Sequence, residues 1–179
     1  MLTPLNLSDA LKREIENALK GYALPIRAPN RLNKVTVYQQ FIPIEEKNNR
    51  RNDNLDDSLY PYVLIKLTEG QDGKPNQGGI CKGYIAFGTY DTNNDECWRD
   101  LFNLIEHVRQ HLDKIRFLSG CFVLAEPFRW EVPEQQGVNH MEGLMYFSYE
   151  IGKPVPEVDW DGKEFYGNGS SEDGQIIEV

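Results

Sequence analysis

NNDECWRDLFNLIEHVRQHL, residues 93–112, is the stretch whose reading decides the fold. Trp98, Leu101, Phe102, Ile105, Val108 and Leu112 recur at steps of three and four, the period of a helix with one apolar face. Asp100, Asn103, Glu106, Arg109 and Gln110 fall on the other side. Asn93 can accept a backbone hydrogen bond at the helix start, and Glu96 three residues on completes a capping-box pattern. Asp95 and Glu96 stand near the positive end of the helix dipole, Arg109 and Lys114 near the negative end. Each large side chain on that face is worth roughly 1.5–3 kcal/mol when buried. The helix therefore needs a flat apolar partner, and the flanking sequence offers strands on both sides.

On the C-terminal side, FLSGCFVLAEP (117–127) reads as an extended segment and 128–139 as a turn or irregular crossover. MEGLMYFSYEI (141–151) alternates, with Met145, Phe147, Tyr149 and Ile151 on one side. On the N-terminal side, LYPYVLIKL (59–67) and ICKGYIAFGTY (80–90), joined by GQDGKPNQGG (70–79), read as an antiparallel hairpin. KVTVYQQFIPI (34–44) reads as another strand with Val35, Val37 and Phe41 on one side, ended or placed at an edge by Pro43. Residues 7–20 form a first helix with a Leu7, Leu11, Ile15, Ala18, Leu19 stripe, capped by Asn6 or Ser8 and ended by Gly21. These elements predict an α+β fold: two helices packed on one face of a mainly antiparallel sheet of four or five strands.

Length and composition bound the rest. The 179 residues suit one domain, with 40% apolar content for a core. We expect a domain over 1–151 and an acidic tail over 152–179, where seven acids face two lysines. Trp160, Phe165 and Tyr166 are unusual in a solvated tail and suit docking on a neighbour or on the parent domain. No stretch is apolar enough for a membrane span and no signal pattern opens the chain, so we expect a cytoplasmic protein. The net charge of −9 argues against direct nucleic-acid binding. Cys81, Cys97 and Cys121 have no pairing pattern and read as reduced thiols.

No short catalytic or metal-binding signature stands in the chain. His107 and His111, four apart on the helix, could turn both imidazoles one way as in a zinc site. However, Val108 stands where a zincin carries Glu, and no third ligand is placed. A surface pair is the plainer reading. The glycines at 70, 73, 78 and 79 lack the Gly-Lys-Ser/Thr of a phosphate loop. Asp53, Asp56 and Asp57 lack the glycine and closing glutamate of a calcium loop. We expect no cofactor, no metal and no catalytic residue. EEKNNRRNDNLDDS (45–58) reads as a solvated loop or as one that orders on a partner. Glu126, Phe128 and Trp130 alternate around Pro127 and read as core or as an interface centre.

YPYVLIKLTEG (60–70), GYIAFGTYD (83–91) and CWRDLFNLIEHVRQHL (97–112), followed by Trp130 and MEGLMYFSYEI, resemble prophage tail proteins. The layout from 7 to 151 is similar to the tail terminator, or tail completion, proteins of long-tailed phages, the lambda-type minor tail proteins. The charged insert at 45–58 and the tail after 152 depart from that compact pattern. The resemblance implies a structural, non-enzymatic role in virion assembly. It implies a homo-oligomeric ring, a hexamer, that caps the tail tube and meets the head-connector proteins, and a place in the virion tail. On exposure and charge, the contact residues would be Arg50, Arg51, Asp53, Asp56 and Asp57, with Asp72 and Lys74 at the hairpin tip. The runner-up is a small binding or regulatory protein with an acidic surface, or a small enzyme using carboxylates with His107 and His111.

Overall fold

The computed structural model describes residues 2–24, 34–43, 59–73, 78–137 and 139–152. Its elements are α1 (Pro4–Ala18), β1 (Thr36–Gln39), β2 (Tyr62–Gln71), β3 (Gly79–Tyr90), α2 (Asn94–Ile115), β4 (Phe117–Leu118), β5 (Phe122–Glu131) and β6 (His140–Ile151). The strands form one sheet in the order β1-β2-β3-β6-β5-β4. The fold is α+β, but the sheet has six strands and is mixed, since β1 runs parallel to β2 while the other pairs are antiparallel. The extra strand comes from 117–131. A three-residue turn after Leu118, with Ser119 and Gly120 at positive φ, folds this stretch into a short hairpin. The second arm, β5, then runs through Pro127 to Glu131 instead of dissolving into a crossover. Register shifts between Leu124 and Arg129 absorb the proline within the pairing to β6.

The central three strands carry the core. Ile65, Ile85 and Met145 stand opposite one another across β2, β3 and β6, as do Leu67, Gly83 and Phe147. Ile65, Ile85, Met145 and Phe147 share one buried cluster with Leu7, Leu11 and Ile15 of α1 and Leu101, Leu104, Ile105, Val108 and Leu112 of α2, and Leu67 packs against it. The period-two reading of β6 is borne out: Met145, Phe147 and Tyr149 are buried, and Ile151 packs against the cluster.

α1 starts earlier than its apolar stripe suggests. Thr3 is the N-cap and forms a capping box with Asn6, ahead of Pro4 in the first turn. Ser8, read as a possible cap, is buried inside the helix and accepts a 2.9 Å hydrogen bond from Gln39 Nε2. Gly21 follows the helix at φ +77°, the left-handed conformation a helix end favours. β1 is shorter than predicted: Gln40 takes φ +62° directly after it, and Phe41, expected on the apolar side, is 72% exposed.

At α2 the expected face is rotated at its N-terminal end. Trp98 is 44% exposed and Phe102 only half-buried, while Cys97 and Leu104 are buried. Asp100, assigned to the wet side, is 6% exposed. The largest ring of the expected face thus stands at the rim.

Gly83 shows how closely the layers approach. A Cβ there would lie 2.3 Å from the Lys66 carbonyl oxygen and 2.6 Å from Phe147 Cζ. The carbonyl belongs to a paired strand and cannot step aside. Gly83→Ala is expected to cost about 1–3 kcal/mol by overpacking, read as a lower urea midpoint. A chain with an unchanged midpoint would show that the sheet yields at this point.

Candidate interaction surface

Most of the charged residues singled out as contacts, Arg50, Arg51, Asp53, Asp56, Asp57 and Lys74, lie outside the described residues. Asp72 is described. It is exposed just beyond β2, its carboxylate beside Gly79.

The two histidines of α2 turn toward α1. His107 Nε2 lies 2.8 Å from the Ala18 carbonyl oxygen, so that nitrogen carries the donated hydrogen. Its ring stacks on Tyr22 at 4.5 Å between centroids. His111 Nε2 lies 3.5 Å from Glu14 Oε2. His107 thus ties the end of α1 to α2, while His111 Nε2 is buried beside Glu14 without a hydrogen-bond partner. Among the described residues no group of three or more His, Cys, Asp or Glu is arranged to hold a metal. Further round the same helix, hydrogen bonds from Arg109 and Gln110 lower the Glu106 carboxyl to about 2. This is a solvated surface network.

A polar cluster that sequence reasoning missed sits on the sheet face away from the helices. Tyr60 and Tyr62 both donate to Glu142 Oε1, at 3.0 and 2.9 Å. The Gln136 side chain clamps the Glu142 backbone, donating to its carbonyl and accepting from its amide. His140 packs between the rings of Tyr60 and Tyr90, at 4.8 Å from each. Burial, then the neighbouring Glu142, pushes the Tyr62 hydroxyl far above its ordinary value. The one available signal was Gly88 in mid-strand: a Cβ there would lie 2.2 Å from Tyr62 Cε1. The rings pack against one another and the cluster closes the start of β2 onto β6, a structural task.

Another outward-facing feature is aromatic. The Phe102 ring meets Trp98 edge-on at 6.0 Å and Trp130 at 5.3 Å. Both indoles are 44% exposed. The Arg99 guanidinium rides over the Trp98 ring at 5.4 Å. α2 supplies three members, and β5 supplies Trp130 near the end of its run. Trp130 stands opposite Met145, so it points to the helix side of the sheet. Of the two readings for Glu126, Phe128 and Trp130, the structure thus divides the residues. Phe128 packs partly against the core, while Glu126 and Trp130 are exposed. Two of the chain's three tryptophans lie in this patch, with an arginine beside them. That is the composition of interface centres that carry large shares of binding energy.

β5 also carries an open flank. Two-residue β4 pairs only with Phe122 and Val123. Pro127 and the register shifts blunt the remainder, which keeps the edge from pairing freely with another strand. Side chains, rather than edge hydrogen bonds, are what this end of the sheet presents.

No protein-family model matches the chain, and no curated protein does. Among solved structures, a chain from the virion of a native gene transfer agent particle is similar with a TM-score of 0.42 and 14% identity, covering 81% of this chain and 93% of that one. No helix among the described residues is long and apolar enough to cross a membrane.

Tyr62 and Tyr149 set an alkaline limit. Burial raises both hydroxyls, with Glu142 adding at Tyr62 and Asp113 at Tyr149. The unfolded chain ionises them near pH 10, while the native chain holds the protons. Their contribution is therefore complete below about pH 10 and declines above it by about 1.4 kcal/mol per pH unit for each tyrosine. Urea unfolding between pH 9 and 11.5 should show the fall, and Tyr62→Phe should make it shallower. Parallel curves for the two chains would refute the assignment to Tyr62.

Proposed function

We propose that the chain is a structural component of a phage or prophage tail, acting as a tail terminator: a ring, a hexamer, that caps the tail tube and joins it to the head connector. Two things support this reading. One is the likeness of the 60–70, 83–91 and 97–112 motifs to tail proteins. The other, which carries it, is the exposed Trp98–Phe102–Trp130 patch. A domain that presents two half-exposed indoles and an arginine at one end of its sheet has a surface suited to burial by another protein. The patch lies at the β5 end of the sheet, and β1 with the exposed Phe41 lies at the other. Two different apolar features at opposite edges suit a head-to-tail joint, the kind that closes into rings.

On this proposal the protein does no catalysis. The rival enzymatic reading would use His107 and His111. Their rings lie against Ala18 and Glu14 of α1, and His107 also lines an open polar cleft with Arg99, Asp100 and Glu106. The acidic-surface reading rests on segments outside the described residues.

The test is native mass by light scattering over a concentration series, on the full chain and on Trp98→Ser with Trp130→Ser. Both positions are half-exposed, so the fold should persist, which circular dichroism checks. We expect mass to grow with concentration, and expect the variant to need at least tenfold more protein for the same growth. A variant that assembles like the parent would remove the patch from the joint. An Arg50→Glu, Arg51→Glu chain tests the 45–58 loop in the same assay, where weaker assembly is expected.

A further inference from the structure

A second exposed surface stands at the β1 edge. Phe41 is 72% exposed and Leu5 is 68% exposed, the two highest values among the exposed large hydrophobic residues described. Neither belongs to the core cluster. Different elements carry them, and one bridge ties those elements together. Gln39 Nε2, at the end of β1, donates to Ser8 Oγ and to Asp9 Oδ1 of α1, both at 2.9 Å. Leu5 stands one turn before Asp9 on the same side of α1. Phe41 follows Gln39 by two residues. Between them is a tight turn, in which the Phe41 amide donates to the Gln39 carbonyl at 2.7 Å and Gln40 takes φ +62°. Two exposed apolar side chains thus flank one exposed carboxylate, Asp9. Lys12, the next outward residue of α1, is turned to Glu16 at 4.0 Å.

This surface is the chemical counterpart of the aromatic patch. There, Trp98, Phe102 and Trp130 stand with one guanidinium, that of Arg99, over the Trp98 ring. Arg99 also lines the polar cleft with Glu96 and Asp100, yet its cation stays over the indole, within the patch. Each surface therefore joins apolar side chains to a charge, and the two charges have opposite sign. β1 is one edge of the sheet, and β5 lies at the far side with only two-residue β4 beyond it. Placing two copies side by side brings the patch of one to the β1 edge of the next. A joint between two different surfaces of identical chains repeats until it closes on itself.

We infer that the surface formed by Leu5, Asp9 and Phe41 is what the Trp98–Phe102–Trp130 patch meets on a second copy, with Arg99 of one chain beside Asp9 of the next. The inference rests on the reading of the patch as a joint between copies and names its other half.

The experiment is native mass by light scattering over a concentration series on the full chain, with circular dichroism as the check of folding. Leu5→Ser with Phe41→Ser should weaken assembly as Trp98→Ser with Trp130→Ser does. Mixing those two variants should give dimers that grow no further, because each contributes one intact surface. Asp9→Arg and Arg99→Asp should each need about tenfold more protein for the same growth, since like charges then face each other. The chain carrying both changes restores an opposite pair at every joint and should assemble near the parent's concentrations. If the Leu5, Phe41 variant assembles like the parent while the tryptophan variant does not, the inference falls and the patch remains a joint. If both assemble like the parent, or the parent stays monomeric throughout, the function proposed above falls with it. A double charge variant no better than the single ones would overturn the Arg99–Asp9 pairing.

Discussion

Everything in this domain rests on how α2 lies across the β3–β6 pair. A Cβ on Gly143 would come within 2.8 Å of Ile105 Cδ1, so the helix sits on the sheet at a point where β6 has given up its side chain. Around that contact Leu101, Leu104, Val108 and Leu112 fill the space above Ile85, Phe87, Met145 and Phe147. Each is fully or almost fully withdrawn from water, and truncating Leu101, Leu104 or Leu112 to Ala would cost on the order of 2–5 kcal/mol. Near the helix N-terminus Phe102 meets Trp98 and, from β5, Trp130, both edge-on.

Periodicity made much of this legible. The three-and-four spacing of α2 and the alternation of β6 are strong local signals, and both elements form where the pattern predicts. The β2–β3 hairpin was legible for the same reason, with glycines between two β-rich runs. What escaped reading was decided by distant partners. Nothing local in Thr36–Gln39 says that it pairs in parallel with β2. Pro127 reads as a strand terminator, yet the pairing of β5 with β6 on one flank leaves room for it on the other. Trp98 belongs to the helical stripe by spacing, yet it is 44% exposed. For α1, Thr3 with Asn6 closes a capping box that the expected Ser/Thr-x-x-Glu/Gln form does not describe.

The candidate site was less legible than the fold. The sequence draws attention to charge, because clustered charges stand out in a list of residues. The described structure draws it to aromatic surface, which in a sequence looks like core. Gly88 and Gly143 were the quiet indicators. A glycine in the middle of a strand marks a close approach, and here the two glycines mark the Tyr60–Tyr62–Glu142 closure and the α2 seat. His107 and His111 show the converse. Their spacing suggested a ligand pair, but His107 bonds the Ala18 carbonyl and His111 packs beside Glu14.

The account's central claim is that the Trp98–Phe102–Trp130 patch is a joint between proteins. A cryo-electron microscopy reconstruction of the assembled species, resolved well enough to place side chains, tests this most directly. The account predicts both indoles buried at every joint, packed against a different surface of the neighbouring subunit. Indoles that stay solvent-exposed in the assembly would contradict it.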